Sequence, residues 1–423
     1  RTNILPHKNI NFRLVVVCTM AASVGLSMAI ISLSKLLIFL FALAVGLIAL
    51  TRAQEAVELK GRYTIIAIFS ALAAFTLSLT WTVAPAADAF GSLAKYGKLL
   101  LPILIMMLIR DRREALYALG AFAAAQLFLL VSSWALFFGV PVPWATSNMA
   151  LTERAVFSSY LDQGIMTGVF AALCWHLRDL VPGRFGKQLA IAAAVVALGN
   201  VFFVLSGRSG HVVAIALLSL AIMWELPKKY RAAVVVLPFL IALGLFASST
   251  KVRDRLTQVG HEVQSYSAKG VSTTSSGVRL AFWHRALEML KEKPVLGAGV
   301  GSWSTEYNRL ERSQNPAHLD IGGNGNPHQE YLLWGLQLGV PGVALLFALM
   351  GAVLWDTRGM EKTYARATLS VLAGLAVACL FNSSLYDALI GDFFCVCLGL
   401  LLAAGLSKPA DAAVPNTSRG SPA

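Results

Sequence analysis

Apolar runs long enough to cross a membrane recur from Phe12 to Leu406, separated by short stretches rich in Arg, Lys, Gly and Pro. About twenty apolar residues in an α-helix span the ~30 Å hydrocarbon core of a bilayer. Inside lipid every backbone N–H and C=O must be bonded within its own segment, which leaves the helix as the natural solution for such runs. Composition agrees: 57% of residues are hydrophobic and 13% charged, too little charge to wet the surface of a soluble protein of 423 residues. The expected fold class is an all-α polytopic membrane protein. Twelve spans are expected, at roughly 14–33, 36–51, 63–83, 95–109, 115–138, 156–177, 187–206, 211–226, 231–249, 328–355, 367–382 and 388–406.

Four regions follow from this division. Residues 1–249 hold helices 1–9, residues 250–327 form a large loop, residues 328–406 hold helices 10–12, and residues 407–423 form a tail. Phe12 onward is expected to be a retained first span and not a cleaved signal. The tail, "SKPADAAVPNTSRGSPA", has the composition of a disordered segment.

Charge orients the bundle. With the N-terminus in the cytoplasm, twenty Lys and Arg residues fall on the cytoplasmic side, the tail included. Five fall on the other side outside the long loop: Lys35, Lys95, Lys98, Arg154 and Arg208. The long loop carries ten more and is largely exempt from the positive-inside rule. The net charge of +13 is therefore mostly a topology signal, and nothing in its pattern calls for nucleic acid. All five cysteines lie in apolar runs, so neither a disulfide nor a zinc site is expected.

The unusual polar features converge on the extracytoplasmic side. In "LSGRSGH" (Leu205 to His211), Arg208 sits between Gly207 and Gly210 at the start of a span, where free N–H groups and a guanidinium fork suit a phosphate. The loop sequence "SSGVRLAFWHRALEMLKEKPVLGAGVGSW" (Ser275 to Trp303) predicts a helix opened by Ser275 or Ser276 and ended by Pro294 and Gly297. Its apolar stripe is Val278, Phe282, Leu287 and Leu290. Arg279 lies in the first turn, where a cation opposes the helix dipole and an anion would explain it. "GAGVGSW" lacks the strand–loop–helix setting of a nucleotide site and is expected to be a tight turn. His328, at the mouth of span ten after "GGNGNP", has the pKa range of a general base near neutral pH. Gly339, Pro341 and Gly342 should kink span ten and open a crevice below it. Arg285, Gln329 and Arg154 are secondary candidates.

Taken in order, "SGRSGH", "GVRLAFWHRALEMLKEKPVLGAGVGSW" and "NPHQEYLLWGLQLGVPG" resemble the O-antigen ligase and polymerase superfamily. One departure is Gln329, where members often have Asn after the histidine. The resemblance implies a GT-C-like fold of twelve helices with the large loop, now periplasmic, between helices 9 and 10. It also implies a metal-independent, inverting glycosyltransferase of the inner membrane of a Gram-negative bacterium, needing no cofactor. The donor would be a glycan on undecaprenyl diphosphate, and the ligase's acceptor the core oligosaccharide of lipid A. Membrane lipids would surround it. Carried over by motif, His328 is the base, and Arg208 and Arg279 hold the donor diphosphate.

The chemistry of the residues is compatible. Departure of a diphosphate leaves negative charge that fixed cations can receive, and an imidazole can take the proton of an attacking sugar hydroxyl. No DxD pair occurs on the outer side to seat a divalent ion. Three other functions are conceivable: an O-antigen polymerase, with a second lipid-linked repeat as acceptor, a protein O-glycosylating relative, and a transporter of an anionic lipid or solute. A transporter should carry polar groups near the bilayer midplane, whereas these spans read as nearly free of charge at their centres.

Overall fold

A computed structural model describes residues 11–51, 61–248 and 275–407 apart from 315, 318 and 324, with short pieces between 250 and 258. The expected tail from 408 onward and the middle of the long loop lie outside the described residues. Among the described residues all regular structure is helical, and eight helical stretches are long and apolar enough to cross a membrane. Two shorter apolar helices, Phe12–Ser23 and Leu237–Ser248, lie beside them. The chain is a polytopic α-helical membrane protein.

The first span departs from expectation. Helix α1 (Phe12–Ser23) ends at a break around Gly25, whose φ is +89°, and α2 (Met28–Thr51) then runs unbroken past the place where a loop at Lys35 was expected. Lys35 is therefore seven residues into a helix. Its Nζ lies 2.7 Å from Oδ2 of Asp392, a carboxylate with no exposed surface. A lysine inside lipid is costly alone, and its partner is 357 residues away in sequence, which is why the sequence pattern placed it in a loop.

A second correction concerns Lys95 and Lys98. After α3 (Arg62–Leu77), the next membrane stretch begins at Ala86 and not near residue 95. It comprises α4 (Ala86–Tyr96) and α5 (Leu101–Leu108), joined by a 3-10 turn. Both lysines lie inside it, and Lys98 is buried, donating to the carbonyls of Tyr386 at 3.0 Å and Asp387 at 2.6 Å. The spans are thus not free of charge, although Lys35 and Asp392 each lie within about two turns of a helix start.

The remaining chain forms α6 (Arg112–Phe137), a short α7 (Ala150–Glu153), α8 (Tyr160–His176), α9 (Gly186–Gly199), α10 (Arg208–Glu225) and α11 (Leu237–Ser248). The long loop contributes α12 (Ser275–Glu292) and α13 (Trp303–Gln314), and the chain closes with α14 (Glu330–Asp356), α15 (Lys362–Ala378) and α16 (Ala388–Leu406). Helix α16 is the most enclosed span, 94% of its apolar window being buried. On α12 the inward side chains are Phe282, Ala286 and Met289, while Leu287 is exposed, so the stripe is rotated from the one expected.

Helix α14 is broken at Gly339 (φ 72°, ψ −165°), where the kink was expected. The break is filled, not open as a crevice. Residues 294–300 enter it: Ala298 N donates to Leu336 O at 2.7 Å, Gly299 N to Gln337 O at 2.9 Å, and Val340 N to Pro294 O at 2.7 Å. The backbone groups freed by the break are satisfied by the glycine loop. Gly297, Gly299 and Gly301 all have positive φ, and a Cβ on Gly299 would lie 2.3 Å from the Cα of Thr82. "GAGVGSW" is therefore a buried staple between α14 and the end of α3, and more than a tight turn.

Candidate functional site

The site is built on the corner between α15 and α16. Glu330, fully buried at the start of α14, clamps that corner. Its backbone N donates to Cys379 O at 3.0 Å, and its carboxylate accepts from Leu385 N at 2.8 Å, Tyr386 N at 3.2 Å and Trp334 Nε1 at 2.8 Å. Lys98 holds the same corner through the two carbonyls given above. His328, the candidate base, stands two positions before Glu330, so this clamp sets its height against the corner.

His328 itself is in the left-handed region at φ 54°, a conformation that a non-glycine residue adopts at some energetic cost. Two bonds hold it there. Its backbone N donates to Asn326 Oδ1 at 2.8 Å, and Asn326 Nδ2 donates to Asp387 Oδ1 at 2.8 Å. The imidazole is near-parallel to the Phe282 ring, with centroids 6.2 Å apart and planes 12° apart. It lies within electrostatic range of Arg279 and of the Asn382 side chain. Burial lowers its pKa from the ordinary histidine value, Arg279 lowers it further, and the polar side chain of Asn382 offsets part of this. At neutral pH the ring is then mostly neutral, the form that can accept a proton. Asp387 moves the other way, its carboxyl raised to about 7 by burial and by Asp162 and Glu330, against the pull of Lys98 and Lys95.

Arg208 opens α10, and its Nη1 donates to Ser276 Oγ at 2.9 Å on the first turn of α12. Arg279 follows three residues after Ser276. The flanking glycines allow close packing: a Cβ on Gly207 would lie 2.9 Å from Tyr160 O, and one on Gly210 would lie 2.8 Å from Gly164 C. They bring the start of α10 onto the start of α8. There Asp162 accepts from Asn382 Nδ2 at 3.4 Å. Arg208 is thus bonded to Ser276 one turn before Arg279, Arg279 lies within electrostatic range of His328, and Asn382 is bonded to Asp162 on the neighbouring helix. Residues distant in sequence thus meet at one end of the bundle.

The secondary candidates separate from this circuit. Arg285 is engaged with Glu311 (2.6 Å), Glu288 (2.7 Å) and Gln314 (2.6 Å), joining α12 to α13. Gln329 is the N-cap of α14, its side chain accepting from Leu332 N at 2.6 Å. Arg154 follows α7 with φ 61°, and its carbonyl accepts from Ser133 Oγ at 3.0 Å and Gln163 Nε2 at 3.4 Å. Among the described residues no three His, Cys, Asp or Glu side chains group as a metal site.

Sequence reasoning missed Asp162, Asn326, Asn382 and Asp387. One signal was present: the polar run "FNSSLYD" (Phe381 to Asp387) between two apolar helices, on the side of the bundle where His328 was expected.

The structure defines a polytopic helical membrane protein in which the candidate residues Arg208, Arg279 and His328 lie towards one end of the bundle. Residues 192–347 match the family model described as O-antigen ligase, so this part of the chain is similar to that family. The matched segment contains Arg208, Arg279 and His328, while Asp162 and Asn382 fall outside it. No curated protein matches the chain.

Proposed function

We propose that this protein is a ligase-type enzyme acting on the periplasmic face of the inner membrane of a Gram-negative bacterium. It transfers O-antigen glycan from undecaprenyl diphosphate to a sugar of the lipid A-core oligosaccharide, with inversion and without a metal ion. The observation that carries this reading is the placement of Arg208, bonded to Ser276 one turn before Arg279, together with Arg279 within electrostatic range of His328.

The step is a single displacement. An acceptor hydroxyl oxygen attacks the anomeric carbon from the face opposite the diphosphate. The bond from that carbon to the diphosphate oxygen breaks, and the electron pair leaves with the diphosphate. Arg208 and Arg279 receive the developing charge, where preorganised cations are worth more than in water. His328 takes the hydroxyl proton, a role that contributes about 10²–10⁴-fold. The excess of Lys and Arg on the opposite side supports the periplasmic orientation. It is sharpened by the finding that Lys35, Lys95 and Lys98 belong to membrane helices and not to outer loops.

The experiment offers purified full-length protein lipid-linked glycan with either core lipid A or a second lipid-linked repeat. Glycan appearing on core lipid A is the expected outcome, unchanged by a chelator. Elongation of the lipid-linked repeat alone would make the protein a polymerase. Loss of activity to a chelator, restored by Mg²⁺, would contradict the metal-free step. Movement of the lipid-linked glycan across vesicles without any transfer would support a transporter.

A further inference from the structure

Among the described residues, His328 and Arg154 are the two non-glycines with positive φ. Glycine is the default residue for such a backbone, so a histidine kept there needs something to hold it. The holding bonds have one possible sense. A backbone N–H only donates, so the Asn326 atom facing His328 N at 2.8 Å is the carbonyl Oδ1, and the amide NH₂ is turned to Asp387 Oδ1 at 2.8 Å. Asp387 stands 61 positions further on, at the N-cap of α16. An aspartate there ordinarily accepts from the first N–H groups of its own helix. This one makes no such cap bond, and its side chain goes to Asn326 instead. Asn326 is therefore tied at one end to the His328 backbone and at the other to a corner that Lys98 and Glu330 hold.

Resting on the reading of His328 as base, we infer that Asn326 and Asp387 are positioning residues that aim it. Asp387 fixes the Asn326 amide, and Asn326 fixes the left-handed backbone that sets the direction of the imidazole. Both act through His328. The bond between them does not depend on the charge of Asp387, because a carboxyl oxygen accepts from an amide N–H whether or not the other oxygen carries a proton.

A mere tether between loop and corner would change the yield of folded protein, or would change KM along with kcat. A pair that aims the base changes kcat alone, and its two members are not independent of each other or of His328. The test is therefore read at one pH, as kcat and KM of purified full-length variants at equal folded concentration.

Asn326→Ala should lower kcat by about 10²-fold, as loss of alignment does, with KM for the lipid-linked donor changed by less than about twofold. Asp387→Ala leaves Asn326 its bond to His328 but frees the amide, and should cost about tenfold. Asp387→Asn offers an amide oxygen to the same NH₂ and should recover most of that loss. Asn326→Ala/Asp387→Ala should be no slower than Asn326→Ala alone, since Asp387 acts through the amide. In a His328→Ala background, Asn326→Ala should cost nothing further. The inference is overturned by wild-type kcat in Asn326→Ala or Asp387→Ala, or by losses that multiply in the double variant. It is equally overturned if Asp387→Asn is as slow as Asp387→Ala, which would make charge and not the bond the cause, or if the His328→Ala background shows a further loss. Should Asn326→Ala not fold, the two Asp387 variants decide. His328→Ala transferring at the wild-type rate would remove the base itself, a separate failure.

Discussion

The two ends of α12 carry similar residues in opposite circumstances. At its C-terminal half, Arg285 is bound to Glu288, Glu311 and Gln314, and the neighbouring Lys293 lies 2.8 Å from Glu306, which also pairs with Arg309. Each of these three positive groups meets a carboxylate, and the result is a rigid joint with α13. At its N-terminal turn, Ser276 meets Arg208 and Arg279 acts on the His328 imidazole. The C-terminal half is tied to α13 by ion pairs, while the N-terminal turn brings Ser276 against Arg208 and Arg279 towards His328.

The comparison predicts that substitutions beyond the C-terminal half change how much protein folds, and those at the N-terminal turn change how fast it works. The largest effect is expected at the glycine staple. Gly299→Val places a side chain at φ 87° where even a Cβ would meet Thr82, and little folded protein should survive extraction as read by size-exclusion chromatography. Gly120→Val, in open surroundings, should fold; equal yields would break the comparison.

Next come the arginines. Arg208→Ala and Arg279→Ala should fold normally and lower transfer by about 10²–10³-fold. Lys at either position should restore only part, because the bidentate fork is lost. A smaller effect sharpens the electrostatics. Arg279 disfavours the imidazolium, so Arg279→Gln should raise the His328 pKa and move the acid limb of the remaining activity to higher pH. A limb that moves down would contradict the assignment. The smallest effect belongs to Arg285→Gln, with unchanged transfer per folded molecule and a loss of about 1 kcal/mol or less in thermal stability.

What could be read in the sequence has a common character. The membrane class, the break at Gly339, and the three residues His328, Arg208 and Arg279 all stand out against their local surroundings. Glycine and proline in an apolar run have local consequences, and a cation there needs a reason. What could not be read depends on distant pairing. Lys35 looked like a loop residue because Asp392 lies 357 positions away. Asp162 looks like an ordinary helix cap after Ser159, and Asn382 like an ordinary corner residue. Only the structure shows that they meet, across 220 positions. Gln329 and Arg285 each stand beside a notable residue, and the contacts they make cap α14 and join α12 to α13.

The most direct measurement is transfer of glycan from undecaprenyl diphosphate to core lipid A by purified full-length protein, wild type and His328→Ala compared at equal folded concentration. The account predicts product from the first and a rate at least about 10²-fold lower from the second. Equal rates would contradict it.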